Sequence, residues 1–247
     1  MLKLMPTDLT APARYAGYRF PRAVIQHALW LLNRFNLSLR TVQEMLLERG
    51  ITVSHETLRE WNTKFAGQIA LKIKRRRAAP GKTWHLDEMH VVVRGQVMWL
   101  WRAVDEHGMV LDILLQDERD TNAARRFFET LLEGLEFKPE KIITDQLGSY
   151  KAAWNELPAL EKVKHVFVKS ETRLNNRIER DHEHVRDKQR VSRGWRSPPA
   201  QLERVLRCRD FVRNVFKKKQ GTAGETRDGW QNAFRTWREV LASIAPN

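Results

Sequence analysis

The sequence predicts an α/β protein in which a mixed β-sheet flanked by helices follows a small all-α domain. Three observations carry that reading. Between Arg22 and Phe65 apolar residues recur at helical spacing. Between Trp84 and Leu115 three runs of strand-forming residues are separated only by short polar turns. From Thr121 onward, helical and strand-like stretches alternate.

Residues 1–21 carry Pro6, Pro12, Gly17 and Pro21 with little periodicity, and read as a loosely ordered leader. From Arg22, Ile25, Ala28, Leu29 and Leu32 share one face, and this first helix ends near Asn36. Ser38 is a predicted N-cap for a second helix, in which Val42, Met45 and Leu46 form the stripe and which Gly50 stops. Ser54 caps a third, from His55 to about Phe65, with Leu58, Trp61 and Phe65 inward and His55, Thr57, Arg59 and Asn62 outward. Helix, glycine-bearing turn, helix is the layout of a helix-turn-helix, whose second helix enters a DNA major groove, so residues 22–71 are read as a DNA-binding domain. Arg59 and Asn62 suit guanine and adenine edges respectively. The basic run with Lys74, Arg75, Arg76 and Arg77, closed by Pro80-Gly81, reads as a linker over 72–82 placed for phosphate contact.

A strand containing Asp87 is followed by Val97–Val104 and Met109–Leu115, an antiparallel meander whose second strand is apolar enough to be buried on both faces. A helix from Thr121 presents Ala124, Phe127, Phe128, Leu131, Leu132 and Leu135 on one face. A short strand ends at Asp145, Ser149–Leu157 reads as helix, Val163–Val168 as a fifth strand, and Asn175–His182 as a polar helical stretch. The order βββαβαβα is that of an RNase H-like core, assigned to 83–218. Its last helix, from about Ala200 to Lys218, is expected to cover the core with Leu202, Val205, Leu206 and Cys208. Over 219–247 a linker at Gly221–Gly224 leads to a final amphipathic helix, with Trp230, Phe234, Trp237, Leu241 and Ile244 docked on the core.

In 247 residues, 44 Lys+Arg stand against 30 Asp+Glu, and the net charge of +14 calls for a polyanionic partner, nucleic acid above all. The single cysteine, Cys208, excludes an internal disulfide framework and a zinc finger. No apolar run approaches the roughly 18 residues of a membrane span, so a cytoplasmic, nucleoid-associated protein without a membrane partner is expected.

Three acids stand where acids are hard to explain structurally. Alternation puts Asp87 on the strand face of Met89, Val91 and Val93, where an unpaired carboxylate would cost several kcal/mol. Asp145 ends its strand, and Glu179 lies in the polar helical stretch. If they converge, they form an oxygen-rich pocket suited to Mg²⁺ or Mn²⁺. Glu88, Asp105, Asp112, Asp181 and Glu183 fall on opposite faces or in turns and are assigned solvated or structural roles. His182-Glu183-His184 lacks the histidine spacing of a zinc-protease helix.

The set Asp87, Asp145 and Glu179, with 57 and then 33 intervening residues, resembles the DDE triad of bacterial insertion-sequence transposases. Trp84-His85-Leu86-Asp87-Glu88, Ile143-Thr144-Asp145 and Asn175-Asn176-Arg177-Ile178-Glu179-Arg180-Asp181-His182 are similar to the insertion-sequence-six family in particular, and Arg186 lies seven residues past the glutamate, where that group carries Lys or Arg. The likeness spans about residues 22–215. It implies a transposase that binds the terminal inverted repeats of its element on double-stranded DNA. Two Mg²⁺ ions, or Mn²⁺, are implied between the three acids, Asp87 bridging them, for DNA nicking and strand transfer. His182 and Arg186, three and seven residues past Glu179, fall near its helix face and are placed to hold phosphates, a packed or solvated histidine being the other reading of His182; with Arg190 they start a basic DNA track, and a homo-oligomer, at least a dimer, is expected when ends are paired. An RNase H-like nuclease and a non-catalytic DNA-binding regulator on a decayed core are the competing readings.

Overall fold

The computed structural model describes residues 15, 17–134, 137–145, 147–168, 176–217 and 223–244. The chain forms two compact units, Met1–Arg76 with Arg204–Asn247, and Arg77–Glu203. The expected leader at 1–14, the linker residues 219–222 and residue 175 lie outside the described residues.

The first unit is helical. It contains α1 (Arg22–Arg34), α2 (Leu39–Leu47), α3 (His55–Lys74), α7 (Pro199–Val215) from Arg204 onward, and α8 (Ala223–Ala242). Both predicted caps form: Ser38 accepts a hydrogen bond from the Thr41 amide at 3.0 Å and Ser54 from the Thr57 amide at 3.1 Å. Each satisfies an amide that has no partner within its helix, worth about 1 kcal/mol. Gly50 ends α2 at φ +74°, a backbone state that favours glycine.

Several expectations change here. Tyr15, read as part of the leader, is buried against Phe65 at a ring separation of 5.1 Å. α3 runs to Lys74 because Ile69, Ala70 and Ile73 prolong its apolar stripe, so the basic run starts inside a helix. The apolar faces of α7 and α8 also go elsewhere than assigned. Cys208, Phe211, Val212 and Phe216 of the α7 end, and Trp237, Val240 and Leu241 of α8, pack with α1–α3 in one cluster.

The second unit carries the sheet: β1 (Thr83–Val93), β2 (Gln96–Asp105), β3 (Val110–Gln116), α4 (Thr121–Gly134), β4 (Lys141–Thr144), α5 (Gly148–Asn155), β5 (Lys164–Phe167) and α6 (Asn176–Val191). The strand order is β3-β2-β1-β4-β5, with β1 antiparallel to β2 and parallel to β4, and β4 parallel to β5. This is the expected RNase H-like arrangement. Arg94 and Gly95, at φ 55° and 84°, form the tight turn between β1 and β2 with the twist that a two-residue hairpin needs. Asp105 builds the next turn, its Oδ1 accepting from the amides of His107 at 2.9 Å and Met109 at 2.8 Å.

Alternation along β1 gives its two faces different work. Trp84 and Leu86 enter a cluster with Phe127 and Phe128 of α4 and Tyr150 of α5. Asp87 lies on the opposite face, the side of Met89, Val91 and Val93, while α6 packs on β1 and β2. Burying Trp84, Trp101, Phe127, Phe128 and Tyr150 together contributes on the order of 2 kcal/mol per ring, enough to hold β1 rigid under the site.

Candidate active site

The pairing of β1 with β4 sets the first two acids side by side. His85 is opposite Ile143, and two residues further along each strand come Asp87 and Asp145, just past the end of β4. Ligand oxygens of Asp87, Glu88 and Asp145 all lie within 4.8 Å of one another. Asp145 opens the turn into α5, its Oδ1 accepting from the Leu147 amide at 3.0 Å. Asp87 Oδ1 accepts from the Glu88 amide at 3.0 Å. Among the described residues no lysine or arginine pairs with Asp87.

The electrostatic result is specific. Burial, then the neighbouring Glu88 and Asp145 charges, and at longer range Glu179, push the Asp87 carboxyl up to about 7, against a smaller downward pull from the Glu88 amide. A carboxyl held in this state is stabilised by any cation that enters.

Glu179, in the first turn of α6, is exposed and lines the same cleft as Asp87 and Arg186. It faces the pair of aspartates without belonging to their tight group. α6 is fixed by a buried ion pair: Arg102, opposite Asp87 on β2, donates from Nε to Asp181 Oδ2 at 3.0 Å and also from Nη2. Asp181 thus serves the structural role expected of it, and so do the buried Asp105 and Asp112. Glu183 is exposed.

Glu88 departs from expectation. It is not a bystander on the far face: its side chain is fully buried, accepting from Tyr150 Oη at 2.8 Å and Arg119 Nε at 2.6 Å, beside Asp87 and Asp145. The signal was present, since alternation puts Glu88 in line with Trp84 and Leu86, an apolar face where a carboxylate needs a partner.

The basic residues divide. Arg186 and Arg190 are exposed on α6, Arg190 pairing with Asp187 at 3.1 Å. His182 is buried instead, Nδ1 3.8 Å from Asp87 Oδ2 and Nε2 without a hydrogen-bond partner. Burial, followed by Arg102, lowers it to about 3, so it is a neutral imidazole and supplies no charge to a phosphate. In the helical unit Arg59, Arg75 and Arg76 are exposed and Lys74 is half-buried. Asn62 is turned inward, its Oδ1 accepting from the buried Asn33 at 2.7 Å, because α1 crosses that side of α3. Arg77 is likewise diverted: it is half-buried and donates to the Leu111 carbonyl of β3 at 2.9 Å. These bonds remove Asn62 as an outward base reader and tie Arg77 to the sheet.

Comparison with known proteins gives the family. A family model described as a DDE domain matches residues 81–219. The transposase for the insertion sequence-like element IS431mec of Staphylococcus aureus is 34% identical over 173 residues, 70% of this chain and 77% of that protein. The transposase for insertion sequence element IS257 in transposon Tn4003, also from Staphylococcus aureus, matches at the same identity and coverage. Among solved structures, the HTLV-2 integrase catalytic core domain in complex with magnesium is a distant likeness, at 16% identity and a TM-score of 0.44 over 63% of this chain and 97% of that one.

Proposed function

The chain belongs to the DDE-domain transposases of bacterial insertion sequences, and on that premise we propose that Asp87, Asp145 and Glu179 are the catalytic triad through which it cleaves and joins DNA. The protein is a transposase, a polynucleotidyl transferase acting in DNA transposition. The observation that carries the assignment of the acids is that Asp87 on β1 and Asp145, just past the end of β4, lie side by side, with Glu179 of α6 lining the same cleft as Asp87.

The residues fit a divalent cation. Clustered carboxylate oxygens and a half-buried Asp87 with no lysine or arginine on it among the described residues form a site of hard oxygen ligands. Asp87, Asp145 and Glu179 would hold Mg²⁺ or Mn²⁺, with two ions expected. Bound there, such ions activate an attacking oxygen and stabilise a leaving one in phosphoryl transfer. The chain's own groups orient the substrate. Arg186, exposed at the cleft, meets a phosphate, and the neutral His182 keeps the floor of the cleft free of positive charge, leaving Asp87 to the cation.

Basic residues of both units supply the DNA contacts. In the helical unit α2, the glycine turn and α3 form the reader of the element's terminal inverted repeats, with Arg59 at the exposed side of α3 and Lys74, Arg75 and Arg76 following the phosphates. Arg190 extends the track along α6. Double-stranded DNA is the partner, and two copies at least act together when two ends are paired. Among the described residues no helix is long and apolar enough to cross a membrane.

The test is joining of a pre-nicked terminal DNA end to a plasmid in Mg²⁺. Asp87→Ala lowers the rate about 10³-fold or more, roughly 4 kcal/mol of transition-state stabilisation. Joining at the parent rate by that variant sinks the assignment.

A further inference from the structure

Arg119 stands between β3 and α4, at the wall of the acid cleft, and it is held from three sides. Its Nε donates to Glu88 Oε1 at 2.6 Å, and Nη2 lies 2.5 Å from the same oxygen. Its guanidinium sits 4.8 Å from the Trp99 ring centre, a cation–π arrangement. Nη2 is also 3.9 Å from Asp145 Oδ2. About a third of the side chain, 36%, remains exposed, and Nη1 has no hydrogen-bond partner among the described residues.

The carboxylate behind it is committed. Glu88 Oε1 is taken by Arg119 and Oε2 by the hydroxyl of Tyr150, which is itself fully buried against Trp101 and Phe128. Three of its lone-pair sites are spent on these two partners. Its contacts are those of a group that orients an arginine. An arginine orients well in this way, because its planar fork keeps donors free on one edge when another edge is bound. Arg119 lines the cleft together with Asp87, with Asp145 beside it. The anion that this chemistry fits is a phosphodiester.

We propose that Arg119 is a substrate-contacting residue that grips a DNA backbone phosphate next to the Asp87–Asp145 pair, and that Glu88 is the positioning residue that aims it. The inference rests on the transposase reading of the same cleft. It adds a phosphate contact outside the triad and α6, and it gives Glu88 a role of its own in the site.

The experiment uses the full chain and a duplex carrying a pre-nicked 3′ end. Affinity is measured in EDTA, where no joining occurs, from 50 to 200 mM salt. Arg119→Ala binds about tenfold more weakly at low salt, and the slope of log affinity against log salt falls by about 0.9, the signature of one lost phosphate contact. Arg119→Lys keeps the slope, since the charge remains, but slows joining about tenfold in Mg²⁺ through kcat with little change in KM, because the fork is gone. Glu88→Gln keeps both the slope and the Tyr150 bond, and shows the same loss in kcat. Arg119→Ala strands Glu88 without its cation, so the double variant Arg119→Ala/Glu88→Gln is measured beside it. With a parent-like melting temperature and the reduced slope, the double variant supports the phosphate contact; with a parent-like slope it overturns it. The two readings fail separately. If Asp87→Ala is inactive in joining while every Arg119 variant binds with the parent slope, this inference alone falls. If Asp87→Ala joins ends normally while the Arg119 slope change is seen, the triad falls and the phosphate contact stands.

Discussion

In the helical unit the buried side chains are nearly all apolar: Leu29, Leu46, Leu58, Phe65, Phe211 and Trp237 are typical, and Asn33, Arg209 and Asp210 are the buried polar residues among those described. In the sheet unit, His85, Glu88, Arg102, Asp105, Asp112, Asp181 and His182 are buried, and Glu88 and His182 line the acid cleft. The first arrangement needs only complementary shape, and area removed from water holds it together at roughly 25 cal/mol per Å². The second needs each charge matched, because a buried ion without a partner costs several kcal/mol. Arg102 has Asp181, Glu88 has Arg119 and Tyr150, and Asp105 has backbone amides. Asp87, half-buried beside the Glu88 and Asp145 carboxylates and with no lysine or arginine on it among the described residues, is the exception, and it marks the site.

The contrast can be broken by removing one charge at a time. Asp181→Ala leaves Arg102 buried and uncompensated, and should destabilise the sheet unit by about 3–5 kcal/mol, read from the denaturant midpoint. A loss below about 1 kcal/mol would show that the pair is dispensable. Asp87→Asn should act in the opposite direction. The Asp87 carboxyl titrates at about 7 when folded, above its unfolded value near 4, so the stability it lends is complete at low pH and is lost as pH rises through 7. At pH 8 in EDTA the asparagine variant should therefore be the more stable by on the order of 2 kcal/mol, the gap closing toward pH 4; equal stability at both values refutes the burial argument. The smallest effect belongs to the helical unit, where Ser54→Ala removes the cap of α3 and should cost about 1 kcal/mol, with no change in the rate of joining pre-nicked ends.

How far the sequence carried follows the same division. Period-two alternation was enough to place Asp87 on the face opposite Trp84 and Leu86, and strand ends were enough to bring Asp145 into view, because both depend on local geometry. Glu88 was passed over although the same alternation buries it, since its partners Arg119 and Tyr150 are 31 and 62 residues away. Helical periodicity showed that α7 and α8 bury Cys208 and Trp237, but not against what; an apolar stripe does not name its partner, and the helices joined α1–α3. Asn62 was misjudged for a related reason, and the packed reading of His182 is the one the structure has. One turn of a helix fixes which residues share a side, while the crossing of α1 over α3 and the packing of α6 on β1 decide which sides are open.

The central claim is that Asp87 and Asp145 form a divalent-cation site on adjacent strands. Calorimetric titration of the parent protein with Mn²⁺, beside Asp87→Asn, Asp145→Asn and the exposed Glu183→Gln, tests it most directly. Parent and Glu183→Gln should bind alike, and each aspartate variant should lose at least about tenfold in affinity, since changes even to the surroundings of a metal ligand cost 10–100-fold. Undiminished Mn²⁺ binding by Asp87→Asn would contradict the account.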